Sequence, residues 1–256
     1  MIKITILGCG TSTGVPMIGC DCKVCTSADS RNKRTRSSVV LSVGHANILI
    51  DTSTDLRQQA LKNNIRHLDA VLFTHSHADH VHGIDELRSF NFIQKKSIPC
   101  YGDAETLDRI RQMFSYIFRQ HYSGGGIPRL EMNELAIPTS IAGLAITPVK
   151  VLHGNLPILA YRFADAAYIT DCSRIPDDSM KKLLDLELLI LGALRYNRHS
   201  THFNIDQALA VVSELKPKQA YFTHLSHDID FSTASSTMPE GVSLAYDGLT
   251  IEVASH

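Results

Sequence analysis

A chain of 256 residues with 44% hydrophobic and 20% charged residues has ordinary globular composition, with length for one large domain or two small ones. Its formal net charge of −1 excludes binding of long nucleic acid through bulk charge. The opening residues Met1 to Leu7 lack a charged leader and a small-residue cleavage site, and no apolar run approaches the roughly 18 residues that span a bilayer, so a cytoplasmic protein with no membrane partner is expected. In that compartment the six cysteines are thiols or metal ligands, not disulfides, and thirteen histidines is a high count that needs a use.

The apolar run at residues 3–7 reads as a first strand. Strands at Ser38–Val43 and residues 47–50 follow, joined through Val43-Gly44-His45-Ala46. A helical pattern covers residues 54–63, with Asp51, Thr52 or Ser53 as cap. Residues 69–74 and 98–101 are strands. Leu107, Ile110, Met113, Phe114 and Ile117 recur at helical spacing, which predicts one helix over 103–119. The glycine-rich segment 123–126 ends it and, with Tyr116, His121 and Tyr122, forms a lid or a dimer contact. In the second half, residues 145–151, 159–163 and 167–170 read as strands. Residues 177–184 and 206–215 read as helices, the second capped by Asn204. Residues 186–191 and Gln219–Thr223 have the length of buried strands. Residues 244–246 and 249–253 flank Asp247-Gly248, a hairpin signal. No repeat or linker divides the chain. Two sheets packed face to face with helices outside fit this order.

The chemistry concentrates in His75-Ser76-His77-Ala78-Asp79-His80, directly after the apolar run Ala70 to Phe73. His75 and His77 are two apart, so an extended backbone turns both to one side. Asp79 and His80 follow on the turn. Imidazole and carboxylate together suit zinc and similar divalent metals. Further ligand types stand at the ends of apolar runs: His153, Asp171 and His224. A second cluster, Cys20-Asp21-Cys22-Lys23-Val24-Cys25, offers three thiolates. A closed tetrahedral zinc site needs a fourth ligand, and His227, three residues beyond His224, supplies one. Three unrelated thiols, or a disulfide plus one thiol, are the competing readings. Cys9, Cys100 and Cys172 read as buried bystanders.

The ordered set His75, His77, Asp79, His80, His153, Asp171 and His224 resembles the ligand motif of metallo-β-lactamase-fold hydrolases across nearly the whole chain. The resemblance implies an α+β fold, a four-layer αββα sandwich, as one domain over residues 1–256 with a zinc knuckle near 20–25. It implies two divalent metal ions: one on His75, His77 and His153, one on Asp79, His80 and His224, with Asp171 bridging. Zinc, manganese, iron and nickel all suit mixed His/Asp ligands. Asp171 stands where some lactamases use a cysteine, which argues against antibiotic hydrolysis. Gly8 to Pro16 followed by C-x-C-x-x-C is similar to the phosphodiesterase branch, including the phosphonate-pathway phosphoribosyl 1,2-cyclic phosphate phosphodiesterases, which pair a catalytic dinuclear site with a Cys₃His structural zinc. In that branch a histidine just ahead of a helix is the general acid. His202, before Asn204-Ile205-Asp206, aligns with it, with His199 as a weaker candidate, and Asp79 can also take a proton. The more distant tRNA 3′-processing nucleases carry a long basic arm that this chain lacks.

The expected function is therefore metal-dependent hydrolysis of a small phosphodiester, a cyclic one included, by metal-bound hydroxide, with a homodimer implied by resemblance. A thioester or lactam hydrolase of the same fold is the first alternative. The second is a zinc-stabilised nucleic-acid-binding protein using the basic loop of Arg31, Lys33, Arg34 and Arg36. Arg57, Arg88 and Arg195 are candidates for phosphate contact, although each is more readily a surface or ion-pair residue.

Overall fold

The computed structural model describes residues 1–119 and 126–254. The first half supplies strands β1 (Ile2–Gly8), β2 (Ser38–Val43), β3 (Ala46–Ile50), β4 (Ala70–Leu72), β5 (Ile98–Gly102) and β6 (Leu130–Glu134). The second supplies β7 (Thr139–Ile141), β8 (Leu144–His153), β9 (Leu156–Phe163), β10 (Ala166–Ile169), β11 (Leu188–Gly192), β12 (Gln219–Thr223) and β13 (Val242–Leu244). The last strand, β14 (Thr250–Val253), returns to the first sheet. The sheets run β14-β1-β2-β3-β4-β5-β6 and β13-β12-β11-β10-β9-β8-β7.

Alternation along the strands sets the layers. Ile4 and Ile6 of β1, Leu41 of β2, Ile48 and Ile50 of β3 and Leu72 of β4 turn toward Tyr168 of β10 and Ile190 of β11, forming the core between the sheets. Their neighbours Val40, Leu49 and Val71 face the other way, onto helices α1 (Leu56–Lys62), α3 (Leu87–Gln94) and α4 (Ala104–Met113); the short α2 (Ala78–Val81) follows β4. On the far side, Ile169, Leu189 and Leu191 pack under Ala208 and Leu215 of α7 (Ile205–Leu215) and Ala234 of α8 (Phe231–Ser235). Three apolar interfaces give four layers, the expected α+β sandwich.

Direction matters more than layering for function. Strands β3 to β6 are parallel, as are β10 to β13, and β8 runs the same way as β10 because each is antiparallel to β9. The carboxyl ends of β3, β4, β8, β10 and β12 deliver Asp51, His75, His153, Asp171 and His224. The chain turns sharply there: Asp51, Asp171 and His224 have φ of 63°, 50° and 58°. Gly83, just past α2, lets the backbone pass Ser53, since a Cβ there would sit 2.0 Å from the Ser53 carbonyl oxygen.

Several expectations need correction. Asp247-Gly248 makes no hairpin: β13 pairs with β12 in one sheet and β14 with β1 in the other. Asp247 instead accepts from the backbone of Cys9 (3.0 Å) and Thr35 (2.8 Å), pinning a crossing between sheets. The 103–119 helix is two, α4 and α5 (Ser115–Phe118), because Phe114 (φ −110°, ψ 40°) leaves helical geometry. The 177–184 helix shortens to α6 (Asp177–Met180) followed by a 3₁₀ turn. The α1 cap is Asp55, without a side-chain capping bond. The capping of α7 by Asn204 holds, reinforced by Gln207 in a reciprocal capping box. Residues 123–125, His121 and Tyr122 of the expected lid lie outside the described residues. No helix among the described residues is long and apolar enough to cross a membrane.

Candidate metal centre

Asp51 organises the entry to the centre. Its carboxylate accepts from the Thr74 backbone and hydroxyl, both at 2.8 Å, and from His80 Nδ1 at 2.7 Å. Thr74 is thereby fixed as β4 ends, and His75 leaves the sheet edge in a set direction. His77 is the N-cap of α2, whose single turn carries Asp79 and His80.

Two groups of ligand atoms result. Those of His75, His77 and His153 lie within 4.8 Å of one another, as do those of Asp79, His80, Asp171 and His224. Asp171 touches both: Oδ2 is 3.9 Å from His75 Nε2, while Oδ1 is 3.2 Å from His80 Nε2 and 3.1 Å from His224 Nδ1. His75, His80, His153, Asp171 and His224 are buried, and His77 is exposed.

The chemistry of this set fits divalent cations. His75 Nε2, His80 Nε2 and Asp79 Oδ2 are buried without a hydrogen-bond partner, a costly state unless a ligand takes those lone pairs. Burial pushes His75 well below the usual imidazole range. Burial alone would raise Asp171, but His224 and His80 outweigh it and hold the carboxyl well below its usual range. His80 shows the reverse: burial would lower it, yet Asp171, Asp51 and Asp79 drive it well above, so these carboxylates favour positive charge at this point.

Outer partners orient the ligands. His153 Nδ1–H donates to the Thr201 carbonyl at 2.8 Å, Thr11 Oγ1 lies 3.3 Å from His224 Nε2, the nitrogen that does not face Asp171, and Asp51 holds His80. The sequence reading missed these roles. Asp51 was legible only as a strand-end acid, which serves equally as a cap. Asp51→Asn is expected to weaken metal retention by about 10- to 100-fold, the usual cost of losing an outer-shell carboxylate, checked by metal loss against a chelator series.

His202 stands on the rim. Its ring lies 4.6 Å from that of His153 and stacks at 4.9 Å on His224, with Nδ1 3.9 Å from Asp171 Oδ2. Burial, with His224, pushes it down to about 3.

The cysteine cluster assembles separately. The sulfurs of Cys20, Cys22 and Cys25 lie 3.2, 3.5 and 3.6 Å from His227 Nδ1. The Cys25 N–H onto its sulfur lowers Cys22 to about 6, whereas burial raises Cys25 to about 11. Cys9, Cys100 and Cys172 are buried thiols.

The cationic candidates do not converge here. Arg88 pairs with Asp85 at 3.0 Å, Arg195 bonds carbonyls of its own loop, and Arg57 lines a groove between α1 and α3. The basic loop is likewise structural. Arg34 is buried and donates to the carbonyls of Ser226 (2.9 Å) and Ile229 (2.7 Å), Arg31 pairs with Asp29, Arg36 pairs with Asp55, and Lys33 donates to the Cys25 carbonyl.

Comparison with known proteins bears on the family and the fold. The model of the beta-lactamase superfamily domain matches residues 46–225. An octanoyltransferase of Porphyromonas gingivalis is 38% identical over 253 residues, 97% of this chain, although the chain spans only 51% of that relative's length. The crystal structure of a new diphosphatase from the PhnP family superposes with a TM-score of 0.93 at 39% identity, covering 100% of this chain and 99% of that one. Zn(2+)-bound PqqB from Methylobacterium extorquens, at 20% identity, shares the fold with a TM-score of 0.78 over 98% of this chain and 100% of that one. The chain belongs to the beta-lactamase superfamily and has the build of a metal-dependent hydrolase.

Proposed function

We propose that this protein is a two-metal phosphodiesterase acting on a small phosphodiester, cyclic ones included. The observation that carries the reading is Asp171, with one oxygen toward the His75 group and the other toward His80 and His224. His75, His77 and His153 would hold one divalent ion and Asp79, His80 and His224 a second, with Asp171 shared. Such ions supply Lewis acidity and a water of lowered pKa. Cys20, Cys22, Cys25 and His227 would hold a closed structural zinc, for which reduced thiols and a cytoplasmic setting are suited.

The chain's own residues do the rest. Asp171 and the buried imidazoles keep charge in a water-poor site, which strengthens every polar contact with a bound phosphoryl group. Asp79, at the edge of burial, can accept a proton from water. His202 is placed to protonate the leaving oxygen; the negative charge of a bound phosphodiester favours its charged form and opposes the effect of burial. The diphosphatase name of the relative at 39% identity supports chemistry at phosphorus.

The test is the leaving group. His202→Ala should lower kcat on an alkyl phosphodiester by about 10²- to 10⁴-fold, and less on a p-nitrophenyl ester whose leaving group needs little protonation, with metal content unchanged. Equal losses on both would remove His202 from the role of acid.

A second reading, thioester hydrolysis, draws on the octanoyltransferase relative. That name describes a protein of which this chain spans 51%, so it belongs to the whole relative and by itself assigns no activity to the matched part.

A further inference from the structure

Resting on the phosphodiesterase reading, we propose that His199 is a specificity-determining donor. Its Nε2–H binds an anionic oxygen of the leaving group and favours substrates whose departing half is a phosphate over those releasing a phenol or alcohol.

The tautomer follows from the neighbours. The Thr201 backbone N–H lies 3.3 Å from His199 Nδ1, and a backbone N–H can only donate, so Nδ1 carries the lone pair. The neutral ring then bears its hydrogen on Nε2, on the side turned from Thr201. Among the described residues that nitrogen has no hydrogen-bond partner.

The ring is held in place. Its centroid is 5.1 Å from that of His202, which is 4.6 Å from that of His153, so three imidazoles step outward from the centre. Thr201, which fixes His199, also accepts from His153 through its carbonyl at 2.8 Å. Arg195 braces the loop through the carbonyls of Asn197 (3.3 Å) and Arg198 (3.2 Å), and Asn204 Nδ2 donates to the Tyr196 carbonyl at 2.8 Å. This rigidity pre-organises a donor at little entropic cost on binding.

Chemistry selects the ligand. A departing alcohol presents one oxygen, which His202 meets. A departing phosphate presents further oxygens on the same phosphorus, which meet the next donor outward, His199. Water attacks the first phosphorus, forming a new P–O bond and passing its proton to Asp79, while the bridging P–O bond breaks and its electron pair leaves on the released phosphate, with no further co-reactant.

The experiment compares bis-p-nitrophenyl phosphate with ADP-ribose for wild type, His199→Ala, His199→Gln and His199→Asn, each with its metal content measured. His199→Ala should lower kcat/KM on ADP-ribose by about 10- to 100-fold and leave bis-p-nitrophenyl phosphate within about 2-fold. His199→Gln, whose amide N–H reaches the Nε2 position, should restore most of the loss, and His199→Asn, which replaces only the Nδ1 edge, should not. Equal losses on both substrates, no loss on either, or a wild type that cleaves the nitrophenyl ester but leaves ADP-ribose intact overturns the inference alone. A metal-loaded wild type that cleaves neither overturns the phosphodiesterase reading as well.

Discussion

Asp171→Asn is expected to lower phosphodiester turnover by about 10³-fold or more, the scale found when a group that acts as part of a unit is removed. Asparagine suits the test because Asp171 has φ of 50°, a left-handed conformation that Asn tolerates far better than a β-branched residue. The amide keeps the volume and one carbonyl oxygen but loses the charge that faces His80 and His224 at 3.2 and 3.1 Å. It also puts an NH₂ where either group needs an acceptor. Metal content should fall by about one ion per chain, because a carboxylate with one oxygen toward each group would be a ligand to both ions. The thermal midpoint in chelator should stay near wild type. A variant within about tenfold of wild-type turnover would contradict a bridging role.

Cys22→Ser is expected to act at a distance from the chemistry. It removes one of four ligands from the knuckle and should release about one zinc per chain. The segment Cys20 to Cys25 has only a small apolar cluster of its own around Val15, Val24 and Cys25, so little else holds it. A loss of about 3 kcal/mol, below the worth of zinc to isolated finger peptides because the sheets persist, would lower the melting temperature by roughly 6–12 °C. Turnover should fall too, by about tenfold or more, because His227 and His224 share one short turn and freeing the first loosens the second. His227→Asn should reproduce the effect. Unchanged zinc content in Cys22→Ser would place the knuckle's metal elsewhere.

The strands were legible in the sequence because both sheets are buried on two faces. Leu188–Gly192 reads as apolar throughout and Gln219–Thr223 has an apolar centre at residues 220–222, and the length of each excludes a helix. The ligand positions were legible for a related reason: parallel strands end at one edge, so chemistry-bearing residues after apolar runs fall together. What failed was local information overruled by tertiary structure. Asp247-Gly248 has hairpin chemistry, but Asp247 is engaged by Cys9 and Thr35, and its two flanks belong to different sheets. The break at Phe114 leaves the apolar spacing intact, so periodicity could not locate it. The short α2 and α3 escaped because the histidine motif and an exposed apolar pair, Phe92 and Ile93, obscure any amphipathic pattern. Asp51 was misread because its role depends on Thr74 and His80, more than twenty residues away in sequence and adjacent only in the fold. The arginines of the 31–36 loop read as a solvated charge run, with polyanion binding as the alternative, and neither anticipates Arg34, which is buried against the carbonyls of Ser226 and Ile229.

The most direct test of the central claim is turnover by one metal-loaded preparation, with metal content measured on the same sample, on bis-p-nitrophenyl phosphate and an octanoyl thioester side by side. The two-metal phosphodiesterase account predicts about three metal ions per chain and hydrolysis of the phosphodiester, with the thioester left largely intact. Full metal content with thioester cleavage and an untouched phosphodiester would contradict it and turn the same centre to acyl chemistry.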